Sequence, residues 1–80
     1  MEINILAFGI AKDIFGAPSV TVTLNNNPTT ADLKKLLESK YPRLKQLSSY
    51  MVAVNNEYAQ DKGFINERDE IAVIPPVSGG

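Results

Sequence analysis

One stretch of this chain carries a sustained helical stripe: Leu33, Leu36 and Leu37, continued by Tyr41, with Lys34, Lys35 and Glu38 on the side facing water. Thr29-Thr30-Ala31-Asp32 marks its start as a capping box. There Thr29 can accept from the Asp32 amide, and the Asp32 carboxylate favours the positive helix end. Pro42 stops the helix near Lys40 or Tyr41. Around this one long helix the remaining order is of strands, so its apolar stripe needs a sheet to cover it.

The strand signals are short and alternating. From Met1 to Ala7, the apolar Met1, Ile3, Ile5 and Ala7 share one side, and Glu2 and Asn4 the other; Leu6 and Phe8 break the polar side. Ser19 to Leu24 is β-branched and alternates again, placing Val20, Val22 and Leu24 on one face. Met51 to Val54 reads as a third strand, Asn55-Asn56 as a tight turn, and Glu57-Tyr58-Ala59 as a fourth strand. Glu70 to Ile74 is the last, ended by Pro75-Pro76, which remove two ladder donors. Between these, Gly9 to Gly16 reads as a loop with one helical turn, carrying Ile10, Ile14 and Phe15 at helical spacing. Asn25-Asn26-Asn27-Pro28 is a turn, Arg43 to Ser49 a short helical turn through Leu44 and Leu47, and Asp61 to Asp69 a polar loop around Gly63.

This order predicts an α+β fold, a mixed sheet of four to five strands with one main helix across one face. The first and last strands are expected as parallel central neighbours, because the long connection between them permits it. Residues 1–75 are expected to form the domain and residues 76–80 a flexible C-terminal tail.

Eighty residues allow one small core. With no Cys there is no disulfide, no thiolate nucleophile and no thiolate metal site, which fits a reducing cytosol; with no His the commonest general base and metal ligand are missing. Stand-alone hydrolytic or metal chemistry is therefore not expected. Eight basic and nine acidic residues, spread along the chain for a net charge of -1, give no footprint for nucleic acid or an anionic membrane. Met1-Glu2-Ile3-Asn4-Ile5 lacks a basic leader, and no apolar run approaches the roughly 18 residues of a spanning helix. A soluble, unprocessed cytoplasmic protein with a protein partner is expected.

The chain closes Pro75-Pro76-Val77-Ser78-Gly79-Gly80. Two glycines at a free end are costly to order and add nothing to a core, so their use lies in having no side chain. Fully extended, Val77 to Gly80 reach about 13 Å, enough to thread a narrow channel in a partner. The group at the tip is the Gly80 α-carboxylate, ionised at neutral pH and a poor electrophile. Acyl chemistry there requires activation, most simply as a mixed anhydride with AMP; attack by sulfur then gives a thiocarboxylate, and attack by an amine gives an amide. In a chain without Cys, such a thioacid is the obvious way to carry sulfur covalently.

Asp69-Glu70-Ile71-Ala72-Val73-Ile74-Pro75-Pro76-Val77-Ser78-Gly79-Gly80 resembles the closing pattern of the small subunits of molybdopterin synthase, members of the ubiquitin-like β-grasp sulfur carriers that include the thiamine-pathway carrier. Val52 to Tyr58 is similar to that family's hairpin, and Leu6 to Gly16 to its first strand and following loop, with Lys12-Asp13 where the family often has Arg-Glu. The resemblance covers essentially the whole chain. It implies that a ubiquitin-activating-type adenylyltransferase, using ATP, adenylates Gly80 and that a sulfur donor converts it to the thiocarboxylate. The large synthase subunit, supplying the catalytic residues in an expected heterotetramer, then uses that sulfur on cyclic pyranopterin monophosphate to build the molybdopterin dithiolene. It also implies threading by Gly79, Ser78, Val77 and Pro76, a partner interface at Phe8, Tyr58, Ile74 and Pro75, and no tightly bound cofactor or metal in this chain. Phe8 lies opposite Ile3 and Ile5 in the alternation and Ile74 just precedes the tail, which fits an apolar patch; the alternative is that Phe8 and Ile74 belong to the core.

Lys34, Lys35, Lys40 and Lys45 form no phosphate-binding pattern and read as a solvated face; Asp61, Glu67, Asp69 and Glu70 match no metal loop and read as turn and edge residues. Three other functions share the pattern: sulfur carriage for thiamine or cysteine synthesis, a ubiquitin-like modifier forming isopeptide bonds, and a passive β-grasp binding module.

Overall fold

The computed structural model describes residues 1–47 and 49–76. Glu2–Ala7 forms β1, Ile10–Phe15 α1 and Ser19–Thr23 β2, with β2 antiparallel to β1 and Ile3 opposite Val22. Thr30–Lys40 forms α2, and a 3-10 turn follows over Pro42–Gln46. Met51–Val54 is β3, Glu57–Tyr58 is β4 and Ile71–Ile74 is β5. The five strands lie in the order β2-β1-β5-β3-β4, with β1 and β5 parallel at the centre and the other pairs antiparallel. This is the expected mixed sheet with its two parallel central strands.

Alternation along the strands builds the core. Ile3, Ile5 and Ala7 of β1, Val22 of β2, Val52 of β3, and Ile71 and Val73 of β5 are buried together with Leu33 and Leu37 of α2. Each of the Ile, Leu and Val side chains among them contributes about 2 kcal/mol on leaving water. Phe15 of α1 seals one edge and meets Tyr41, their ring centroids 4.7 Å apart.

The start of α2 is satisfied twice over. The Asp32 amide donates to Thr29 Oγ1 at 3.2 Å, and the Thr29 amide donates to Asp32 Oδ2 at 2.9 Å, the reciprocal capping box that the sequence indicates. The Thr30 and Ala31 amides then donate to the Gly63 and Asp61 carbonyls, so the 61–63 loop takes up two further free donors of the helix start.

Four expectations change. The segment between Gly9 and Gly16 is a six-residue helix rather than a loop with one turn; Gly16, at φ 77°, closes it by donating to Lys12 O, and Ala11 with Phe15 fills the core while Ile10 stays exposed. Lys34 and Glu38 do not simply face water: Lys34 Nζ pairs with Asp61 at 2.9 Å, and Glu38 accepts from the Tyr50 hydroxyl. Ile65, inside the stretch read as polar, is fully buried in the core. The fourth and fifth strands are also shorter than read: Ala59 and Glu70 flank them, each joined to β3 or its turn by one backbone hydrogen bond.

Candidate functional site

The sheet face turned away from α2 carries a row of side chains crossing four strands. Leu6 of β1 lies beside Ala72 of β5, Ala72 faces Ala53 of β3, and Ala53 faces Tyr58 of β4. Because the two central members of this row are alanines, the row dips where larger neighbours stand around it. The result is a depression of about 310 Å³, floored by Leu6, Ala53 and Ala72 and walled by Phe8, Tyr58 and Ile74, with Asn56 and Glu70 on its polar side.

The walls are held by ordinary local chemistry. Phe8 follows β1 directly, and Ile74 is the last residue of β5, the parallel neighbour of β1, so both project at the same end of the sheet. Tyr58 is set by the two-residue turn Asn55-Asn56, both in left-handed backbone (φ 54° and 69°), a conformation that Asn tolerates better than most residues. That turn is tied to the start of β5: the Asn55 amide donates to Glu70 O at 2.8 Å, the Glu70 amide to Asn55 Oδ1 at 2.9 Å, and Asn55 Nδ2 to Asp69 Oδ1 at 3.0 Å.

Phe8 is 48% exposed and Tyr58 67%, and Ile74 and Pro75 are half-buried, so this is an open surface rather than core. Large apolar side chains in water, gathered on one concave face, are suited to receive an aromatic or aliphatic side chain from a protein partner. Phe8, Tyr58 and Ile74, singled out from the sequence, do come together; Pro75 adjoins them at the exit of β5, and Pro76 is exposed. Val77, Ser78, Gly79 and Gly80 lie outside the described residues. The floor, Leu6, Ala53 and Ala72, was not anticipated. Its signal was Leu6 and Phe8 interrupting the polar side of β1, a break that makes sense once a second apolar surface is present.

Among the described residues no three His, Cys, Asp or Glu side chains are placed to hold a metal ion, and no helix is long and apolar enough to cross a membrane. The two side chains with shifted titration stand away from the depression. Burial and the bond to Glu38 push the Tyr50 phenol up, and the Thr29 backbone amide holds the Asp32 carboxyl down.

The ThiS family pattern matches residues 5–80. The chain belongs to the ThiS family. Among ThiS-type relatives, it is 38% identical over 81 residues to a molybdopterin synthase sulfur carrier subunit of Arabidopsis thaliana, covering 100% of this chain and 84% of that protein. It superposes on the crystal structure of SAMP1 from Haloferax volcanii with TM-score 0.85 and 25% identity over 100% of both chains. One chain of a complex of subunits 1 and 2 of a molybdopterin-converting factor from Helicobacter pylori shares the fold, with TM-score 0.70 and 22% identity over 100% of this chain and 100% of that one. The observed arrangement is thus the ubiquitin-like β-grasp of the ThiS family.

Proposed function

We propose that this chain is the sulfur carrier of a molybdopterin synthase, and that it carries sulfur at the carboxyl group of Gly80. The family match supports this, as do relatives named for that role along the full chain. The structural observation that carries the reading is where β5 ends: the strand leading to Gly79-Gly80 leaves the sheet at Pro75, beside the exposed Phe8 and Tyr58 and the half-buried Ile74. A partner seated on that depression receives the tail at its own surface.

In the cycle, the Gly80 carboxylate oxygen attacks the α-phosphorus of ATP in an adenylyltransferase and expels pyrophosphate. A sulfide equivalent from the sulfur donor then displaces AMP from the acyl carbon, leaving the thiocarboxylate. The large synthase subunit supplies the catalytic residues that transfer the sulfur to cyclic pyranopterin monophosphate, in a heterotetramer, and this chain is not catalytic alone. Gly79, Ser78, Val77 and Pro76 thread the partner's channel, Gly79 giving steric clearance. Residues 76–80 act as a tail on a domain of residues 1–75; the chain needs no tightly bound cofactor, ATP being used by the activating partner. The setting is the cytoplasm.

Intact-mass measurement tests this. After incubation with the cognate adenylyltransferase, ATP and a sulfur donor, the chain gains the mass difference between sulfur and oxygen, and transfer to the large subunit with its substrate removes it. No gain with a competent activating enzyme overturns the reading. The same acyl adenylate also serves an amine, and the likeness to SAMP1, a protein whose relative from Methanosarcina acetivorans is described as a small archaeal modifier, favours testing that branch. Isopeptide-linked products on lysines in place of the thioacid select it.

A further inference from the structure

We propose that Gly9 is a positioning residue for the C-terminal tail: its bare backbone seats the Pro75 ring and so sets the direction in which the chain leaves β5. The inference rests on the tail being the working end. Because β1 and β5 run parallel, with Ala7 beside Val73, their exits lie side by side at one end of the sheet. One exit turns back as α1, and the other continues through Pro75-Pro76. Gly9 makes that reversal, with the Phe8 and Gly9 carbonyls accepting from the Ala11 and Lys12 amides.

Two observations make glycine necessary there. At φ 55° and ψ -132° its backbone mirrors the extended polyproline conformation, a region that side chains exclude. A Cβ added at Gly9 would also stand 3.2 Å from Pro75 Cγ, closer than Cβ contacts ordinarily come, so that the ring has to give by a few tenths of an ångström. The ring is a sensitive point. Pro75 and Pro76 each fix φ, and each proline holds the residue before it extended, so the exit is a short stiff rod rather than a swivel. Five residues beyond Pro75 extend about 16 Å in a partner's channel, and a tilt of about 10° at the base displaces the tip by about 3 Å. Reacting atoms misplaced by even about 1 Å can cost a hundredfold in rate.

The test follows mass loading of Gly80 by the activating enzyme across a range of carrier concentrations, for the unmodified chain, Gly9→Ala, Pro75→Ala and the double variant. Gly9→Ala leaves every side chain of the docking face in place, so its KM stays within about twofold, whereas Pro75 borders that face and its KM is free to rise; kcat falls about tenfold or more in each single variant. Pro75→Ala lies beyond the last strand and leaves the fold intact, so it judges the contact even if Gly9→Ala fails to fold. The double variant is no worse than the worse single one, because both remove one contact. Full kcat in Pro75→Ala, a loss confined to KM, or additive losses overturns the proposal. A second readout needs no activating enzyme: nuclear Overhauser contacts between the Gly9 α protons and the Pro75 ring, present in the unmodified chain and lost in Pro75→Ala. If the unmodified chain is never loaded, the sulfur-carrier reading has failed, and these contacts still decide the seating of Pro75; their absence overturns it.

Discussion

Ala53 and Ala72 face each other across the β3–β5 pair, and between them they set the depth of the depression on the open face of the sheet. Ala53 is buried although it lies on the side away from α2, because the larger side chains around it shade it. Filling this floor is expected to block docking without harming the core on the other face. Ala72→Lys should weaken binding of the large synthase subunit at least about tenfold, or about 1.4 kcal/mol, in a calorimetric titration. Its thermal midpoint should stay close to that of the unmodified chain, since Glu70 on the same face can receive the charge.

The walls and the core should respond in opposite ways. Phe8→Ala and Tyr58→Ala remove exposed anchors and should each cost about 1–2 kcal/mol of partner binding but under about 0.5 kcal/mol of folding stability. Leu37→Ala, which opens a cavity beneath α2, should cost about 2–5 kcal/mol in urea unfolding. Equal loss of stability in Phe8→Ala and Leu37→Ala would show Phe8 to be core.

The capping box makes a prediction in acid. The Asp32 carboxyl titrates below its ordinary 3.8 because it accepts from the Thr29 amide and hydroxyl. A lowered folded value means its contribution is complete above the unfolded value and fades as pH falls through the folded one. Stability curves of the unmodified chain and Asp32→Asn should therefore separate near neutrality and converge as pH falls below 3.8 and through the lowered folded value. Thr29→Ala should cost about 1 kcal/mol at neutral pH.

Tyr50 offers the complementary test in base. Its hydroxyl donates to Glu38, and burial joins that bond in raising its titration above 10.0. A raised folded value means stability that is complete below the unfolded value and lost as pH climbs through the folded one, so Tyr50 should strengthen the fold's preference for pH below about 10. In a spectrophotometric titration, one of the three tyrosines should ionise late, and that late step should vanish in Tyr50→Phe. This variant should also lose about 1 kcal/mol at neutral pH.

Much of this protein was fixed by neighbours along the chain. Thr29 and Asp32 sit three residues apart, Pro42 bars the helix from continuing, and Ile3, Ile5 and Ala7 repeat at the strand period, so α2, β1 and the side each turns to the core follow from local geometry alone. That Gly79 and Gly80 invite acyl chemistry is a reading of the sequence, and those two residues lie outside the described structure. Tertiary structure decided what depends on distant partners. Ile65 enters the core because the 61–65 segment returns to cap α2 and to pair with its start, Ile65 N donating to Pro28 O; a periodicity signal contains nothing of that return. Lys34 finds Asp61, 27 residues away, and Glu38 finds Tyr50, only once the loops have closed over the helix. The depression beside the tail is of the same kind. Leu6, Ala53, Ala72 and Tyr58 belong to four strands, and only the registers of three strand pairs bring them into one row. Alternation tells which side a residue takes, whereas the hydrogen-bonded register between strands far apart in sequence tells what it stands beside.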